Sequence, residues 1–328
     1  MPRVSLQSLI LTAGVLCSGL SLSSEAPGTT SVKWTRIKDD VVTSINAGLR
    51  SGEPTVDVGV YYPSNLDPAF NASFSLDDFL MEFRRAQQIY ADAGVQLRLT
   101  WVKTGEIDPA YFEIQANEMA GETPSGRRVN MYVDTLRQRS KLSSEALAAF
   151  SSIVERYEGG DRTIHLVILQ DVFMSFFERV DERTYQVRTI TTGGLSFPSY
   201  SYLGMPRHLR GVITVTRNDQ LQRLIAHELG HKLLNVSHEY RDVNPQHEVR
   251  ADGGLLLYGK GTEIPSGAEG RWHRERLHLS PYVYRQAPDG SRHWNRDYAE
   301  GGHYYDPIYG PYVVKFGPDA PPAGPPAP

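Results

Sequence analysis

AHELGHKLLNVSHE, residues 226 to 239, is the stretch from which the rest of the chain is read. With 10 histidines in 328 residues, a random chain of this composition carries His-Glu-x-x-His about 0.02 times, so the match is informative by itself. Leu221, Leu224, Ile225, Leu229 and Leu233 recur at helical spacing, and the stretch follows GVITVT (211 to 216), a short apolar run of strand type. An amphipathic helix entered from a strand is the result. His227 and His231, four apart, project from one face of that helix and reach a single metal ion. Glu228 lies one residue round, where its carboxylate contacts a water at the metal without being a ligand. One histidine on such a helix is more often a packing residue; two at this spacing, with the glutamate between them, make the metal reading the stronger one.

A catalytic zinc takes three protein ligands and keeps one position open. His238 is the residue chosen as third ligand. On an unbroken helix it would sit about 10 Å beyond His231 and share nothing with it. The helix must therefore break between them, and Asn235, which tolerates the left-handed conformation, is best placed to do so. Glu248, Asp252 and His247 compete for the same role.

HELGHKLLNVSH, followed by GGLLLYG (253 to 259), resembles the metzincin clan of zinc peptidases, whose pattern is HExxHxxGxxH and then a methionine-containing turn. The chain departs from that pattern in three ways. The third histidine comes one residue late, Asn235 replaces the glycine at a position shifted by one, and no methionine follows Met205. The resemblance implies that Leu256 takes the place of the turn methionine and that Tyr258, two residues on, approaches the metal or a developing oxyanion. It also implies Zn2+ held by His227, His231 and His238, with Glu228 as general base toward a water that attacks a peptide carbonyl. In this clan an extended peptide lies antiparallel to the sheet's edge strand, a role that falls to Gly193 to Tyr200.

Outward from the motif, strands and helices alternate. VDVGVYY (56 to 62) reads as a strand closed by Pro63. Ser75, with Asp78 three residues on, caps a helix whose stripe is Leu76, Phe79, Leu80, Phe83, Ala86 and Tyr90, ending at Gly94. Val95, Leu97, Leu99 and Trp101 then alternate as a strand with one face on a core. A second helix runs from Ser144 to Tyr157, stopped by Gly159 and Gly160, into the buried-type strand TIHLVILQ (163 to 170). GLSFPSY (194 to 200) is an edge strand, because Pro198 cannot complete a ladder. The fold class is α/β. With the resemblance it becomes a zincin-like mixed, twisted sheet of roughly five strands, with two long helices behind it, the active-site helix in a cleft and an irregular C-terminal subdomain.

One arginine, an apolar stretch from Leu6 to Leu22 and small residues after it read as an export signal over residues 1–23. Residues 24–52 read as a linker or short pro-segment. Residues 53–316 read as the metallopeptidase domain, its N-terminal subdomain ending near residue 235, and 317–328 as a Pro-rich disordered tail. Cys17 is the only cysteine, so the exported chain would hold no disulfide framework. A net charge of −4 with the signs intermixed gives no surface for tracking phosphates, and nucleic acid is set aside. No span follows the signal, so no membrane is expected for the mature form. RWHRERLH (271 to 278) reads as a solvated helical face, and the aromatic HYYDPIYGPYVV (303 to 314) reads equally well as the lining of a binding surface or as a packed, poorly regular C-terminal segment.

The expectation is a secreted zinc-dependent endopeptidase acting on a peptide or protein substrate. Two rivals are a zinc amidase acting on another amide, such as cell-wall material, and a binding protein on a zincin scaffold. The intact Glu228 argues against the second. Sequence sets neither cleavage preference nor oligomeric state.

Overall fold

The computed structural model describes residues 32–118, 141–156, 158–181, 184–197, 205–216, 223–235, 255–256, 264, 271–296, 302–305 and 313–316. Its elements begin with β1 (Thr35–Ile37), α1 (Asp39–Asn46), β2 (Thr55–Pro63), α2 (Pro68–Ser73), α3 (Leu76–Asp92) and β3 (Gln96–Gly105). Short strands β4 (Glu113–Gln115), β5 (Asn117–Glu118) and β6 (Lys141–Leu142) precede α4 (Ser144–Ile153) and β7 (Ile164–Ile168). Next come β8 (Asp171–Arg179), β9 (Tyr185–Thr192), β10 (Gly194–Ser196), β11 (Val212–Val215) and α5 (Leu224–Leu234). The chain closes with α6 (Arg271–Leu279), β12 (Val283–Gln286), β13 (Arg292–Trp294), β14 (Gly302–Tyr305) and β15 (Val313–Phe316).

Alternation along the central strands decides how the layers stack. Val56, Val58 and Val60 of β2, Leu97 and Leu99 of β3, Ile164, Leu166 and Ile168 of β7, and Ile213 and Val215 of β11 belong to one core cluster. The apolar stripes of α3 and α5 join the same cluster, so both helices cover that face of the sheet. Tyr61, Val167 and Val212, at the intervening positions, meet Ala146, Ala149, Phe150 and Ile153 of α4 in a second cluster. The result is an α/β structure with a mixed sheet. Its path is β1-β3-β2-β7-β11-β10, parallel in the middle and antiparallel at both ends.

Helix α3 starts as its sequence predicts. Ser75 accepts from the backbone N–H of Asp78 at 3.1 Å while the Asp78 carboxylate accepts from the Ser75 N–H at 3.1 Å, a reciprocal capping box. Gly94, at φ +83°, ends it.

Three expectations need correction. Residues 24–52 are not simply a linker: β1 pairs with β3, and Val42 and Ile45 of α1 are buried in the main core. The sheet has eight strands rather than five, because β1 adds one and the C-terminal part adds two, β12 pairing with β2 and β13 with β12. Asp57, buried on β2, is the reason that part docks. Its carboxylate accepts from Arg98 of β3 at 2.7 and 2.8 Å and from the Tyr284 hydroxyl of β12 at 2.9 Å, and pairs with Arg292 of β13 at 2.9 Å. Finally, α6 is not a solvated face: His273, Arg276 and Leu277 are buried. At the two ends of the aromatic segment β14 and β15 pair antiparallel, and residues 306–312 lie outside the described residues. Residues 1–23 and 317–328 lie outside the described residues. No helix among those described is long and apolar enough to cross a membrane.

His165 on β7 is wholly buried beside the Tyr61 and Trp101 rings, at 6.0 and 6.1 Å between centroids, and neither ring nitrogen has a hydrogen-bond partner among the described residues. Burial lowers its pKa to about 3, with the nearby His208 adding to the effect. The folded state therefore binds its proton less readily than the unfolded chain. The contribution of the neutral ring is present above about pH 6.5 and is lost as pH falls toward 3. Urea unfolding should show a loss of about 2 kcal/mol between pH 7 and pH 5 that is absent in His165→Leu. An equal loss in the variant would assign it to other groups.

Candidate metal centre

Helix α5 is short and sits almost entirely inside the protein. Its eleven residues include Leu224, Ile225, Leu229, Leu233 and Leu234, all buried in the main core, and this apolar contact is what fixes the helix. The polar residues it carries are buried with it. His227 and Glu228 are 6% and 4% exposed, so neither relies on bulk water for its interactions.

His227 and His231 bring their Nε2 atoms to 3.0 Å from each other. Two nitrogens that share a tetrahedral zinc at about 2.05 Å lie about 3.3 Å apart, so the pair has the spacing of two ligands to one ion. The Nδ1–H of His227 donates to the Leu255 carbonyl at 2.6 Å, which leaves Nε2 as the lone-pair nitrogen and fixes the ring. Burial lowers the proton affinity of His227, against the pull of that hydrogen bond, and a neutral ring is the form that ligates. With Glu228, these residues offer ligand atoms that all lie within 4.8 Å of one another, and the group could hold a metal ion.

Glu228 is directed differently. Burial pushes its carboxyl up to about 8, against the opposing effect of the Lys232 ammonium. Among the described residues its Oε2 has no hydrogen-bond partner. A buried carboxylate oxygen left open beside two convergent imidazoles is suited to holding a proton or a water rather than to packing. Lys232, one turn on, is pushed down to about 7 by burial, with Glu228 opposing.

Three neighbours shape the site. Tyr90 of α3 donates its hydroxyl to the Ala226 carbonyl at 2.8 Å and ties the two helices together. Leu255 and Leu256 are buried beneath α5; a Cβ on Gly230 would come within 2.9 Å of Leu256 Cδ2, so the helix needs glycine there to settle on that floor. Strand β10 crosses Glu228 on the other side.

Asn235 ends α5 at φ 52°, ψ 44°, in the left-handed region that its sequence position predicts. The Arg276 guanidinium of α6 donates to the Asn235 carbonyl at 3.4 Å, a long contact that still supplies the helix end with a donor. The structure thus brings His227, Glu228 and His231 together. His238 and Tyr258 lie outside the described residues, as do Glu248, Asp252 and His247.

Sequence reasoning missed the Leu255 carbonyl, Arg276, Lys232 and the contact with Gly194. Only Lys232 had a local signal, since it stands four residues after Glu228 on the same helix. No protein-family model matches the chain, and no curated protein matches it in sequence.

A Cβ on Gly194 would fall 2.5 Å from Glu228 Cγ and 2.7 Å from its Oε1. Strand and helix therefore touch through the one residue type that allows it. Gly194→Ala should cost about 1–3 kcal/mol in urea unfolding. Gly48→Ala, where nothing lies within 4 Å, should stay within about 0.5 kcal/mol. Equal stabilities would mean that β10 does not rest on Glu228.

Proposed function

We infer that the protein is a zinc-dependent hydrolase of peptide bonds, an exported endopeptidase whose metal is held by His227, His231 and His238. The observation that carries this reading is the pair of Nε2 atoms 3.0 Å apart on a buried helix, with the open carboxylate oxygen of Glu228 beside them. The donor set supports zinc: two imidazoles from i and i+4 of one helix, one of them fixed by a backbone carbonyl, suit a borderline-soft cation. A left-handed Asn235 supports His238 as third ligand, because it turns the chain out of the helix three residues before it. The mixed sheet with an antiparallel edge strand above the helix is the layout that the metzincin resemblance leads one to expect.

When bound, zinc acidifies a water and polarises a carbonyl. The chain supplies the rest. Glu228 receives the proton released by the attacking water and returns it to the leaving amine, so one carboxylate serves as base and then as acid. Burial raises its proton affinity, with the Lys232 ammonium opposing. Strand β10 pairs with β11 along one edge and has no other strand partner among the described residues, and an extended substrate would add to its second edge. Tyr258 would steady the developing negative charge.

Purified wild-type protein should hold about one zinc per chain and hydrolyse casein. Glu228→Gln should keep the metal and lose activity by about 10²–10⁴-fold. His238→Ala should lose metal affinity. Wild-type protein that binds no zinc would overturn the reading, and His238→Ala with normal zinc content would move the third ligand elsewhere.

A further inference from the structure

Lys232 is 1% exposed, and a lysine so placed is rare without a purpose that an apolar residue cannot serve. Four residues after Glu228, it projects from the same side of α5. Its Nζ donates to the Phe197 carbonyl at 2.5 Å and to the Arg210 carbonyl at 2.8 Å. Phe197 directly follows β10, and Arg210 lies two residues before β11, the strand that pairs with β10. One ammonium therefore gathers the end of the edge strand, the approach to its neighbour and the helix of the candidate metal centre. The Tyr282 hydroxyl donates to the same Arg210 carbonyl at 2.9 Å and braces the junction from the C-terminal part.

The geometry gives this junction a consequence. Strand β10 is held to the sheet by three residue pairs, Gly194 with Val215, Leu195 with Thr214 and Ser196 with Ile213. Gly194 lies against Glu228 of α5, and Phe197, just past the strand's end, bonds to Lys232. Contact at Gly194 sets how close the strand comes; the bond at Phe197 sets where it lies along the helix. Charge-assisted bonds to backbone carbonyls are strong and directional, and a carbonyl at a strand end is independent of the side chain there.

We propose that Lys232 is a positioning residue: by tying the carbonyl at the end of β10 to the helix that carries Glu228, it fixes the register in which an extended peptide on that strand is presented to the carboxylate. This rests on the peptidase reading of the site. A slip of one residue along β10 would bring a different bond to Glu228, so Lys232 selects which bond is cut as well as how tightly the peptide is held.

The test uses the full chain as wild type, Lys232→Met, which removes the donors at similar length, and Leu233→Ala, which loosens the same helix in the main core. Zinc content, thermal midpoint, hydrogen exchange at the amides of residues 194–197, and the bonds cut in a fixed peptide mixture are measured for each. Folded, zinc-loaded Lys232→Met is expected to exchange faster at those amides, to spread its cuts over neighbouring bonds and to raise KM about tenfold, more than it lowers kcat. Leu233→Ala is expected to melt earlier with its cut sites unchanged. If Lys232→Met does not fold, Lys232→Gln, shorter and with a neutral donor, is measured in the same way.

Unchanged exchange at residues 194–197 in a folded variant overturns the tie itself, whatever the activity. Faster exchange with unchanged cut sites and KM overturns the role in register. A wild type that cuts no peptide, while its β10 exchange still depends on Lys232, overturns the peptidase reading and the register with it, and leaves the tie standing as architecture alone.

Discussion

Burying an ionisable side chain without a partner is costly, and one short helix of this protein buries three. His227, Glu228 and Lys232 lie within six residues of one another on α5, inside a core otherwise built from aliphatic and aromatic side chains. The elements around them can be understood from that constraint. The backbone at Leu255 comes under the helix and accepts from His227; the carbonyls of Phe197 and Arg210 converge on Lys232. Strand β10 has glycine where it crosses Glu228. The open oxygen of Glu228 and the convergent nitrogens of His227 and His231 are what packing leaves for chemistry.

The sheet supplies the platform. Parallel strands β2, β7 and β11 bury both faces, one against α3 and α5 and the other against α4, so the sheet beneath α5 is fixed from two sides. The Asp57 cluster fastens β12 and β13 to the same sheet. Through α6 and Arg276 that C-terminal part then reaches the end of α5. A site helix held at both ends and on both sides keeps its ligands in place without help from a disulfide.

What sequence could show follows from range. The capping box of α3, the left-handed Asn235 and the i, i+4 histidines are encoded within a few residues, and each appears in the structure where spacing puts it. Features that join distant segments left no such trace. Strand β1 is three residues long, and β12 shows its place only through pairing with Val56 and Thr55, more than two hundred residues earlier. Helix α6 looks solvated because its residues are basic; it is buried because the Arg276 and His278 side chains reach carbonyls at Asn235 and Ala93. Nothing near Asp57 in sequence marks its carboxylate as the acceptor that joins the C-terminal part to the sheet.

The central claim is that His227 and His231 are ligands of one metal ion. Zinc-edge X-ray absorption on the purified protein tests it most directly. The account predicts about one zinc per chain, a first shell of nitrogen and oxygen alone at about 2.0–2.1 Å, and an imidazole scattering pattern that weakens in His231→Ala. A protein without zinc, or a zinc shell unchanged in His231→Ala, would contradict it.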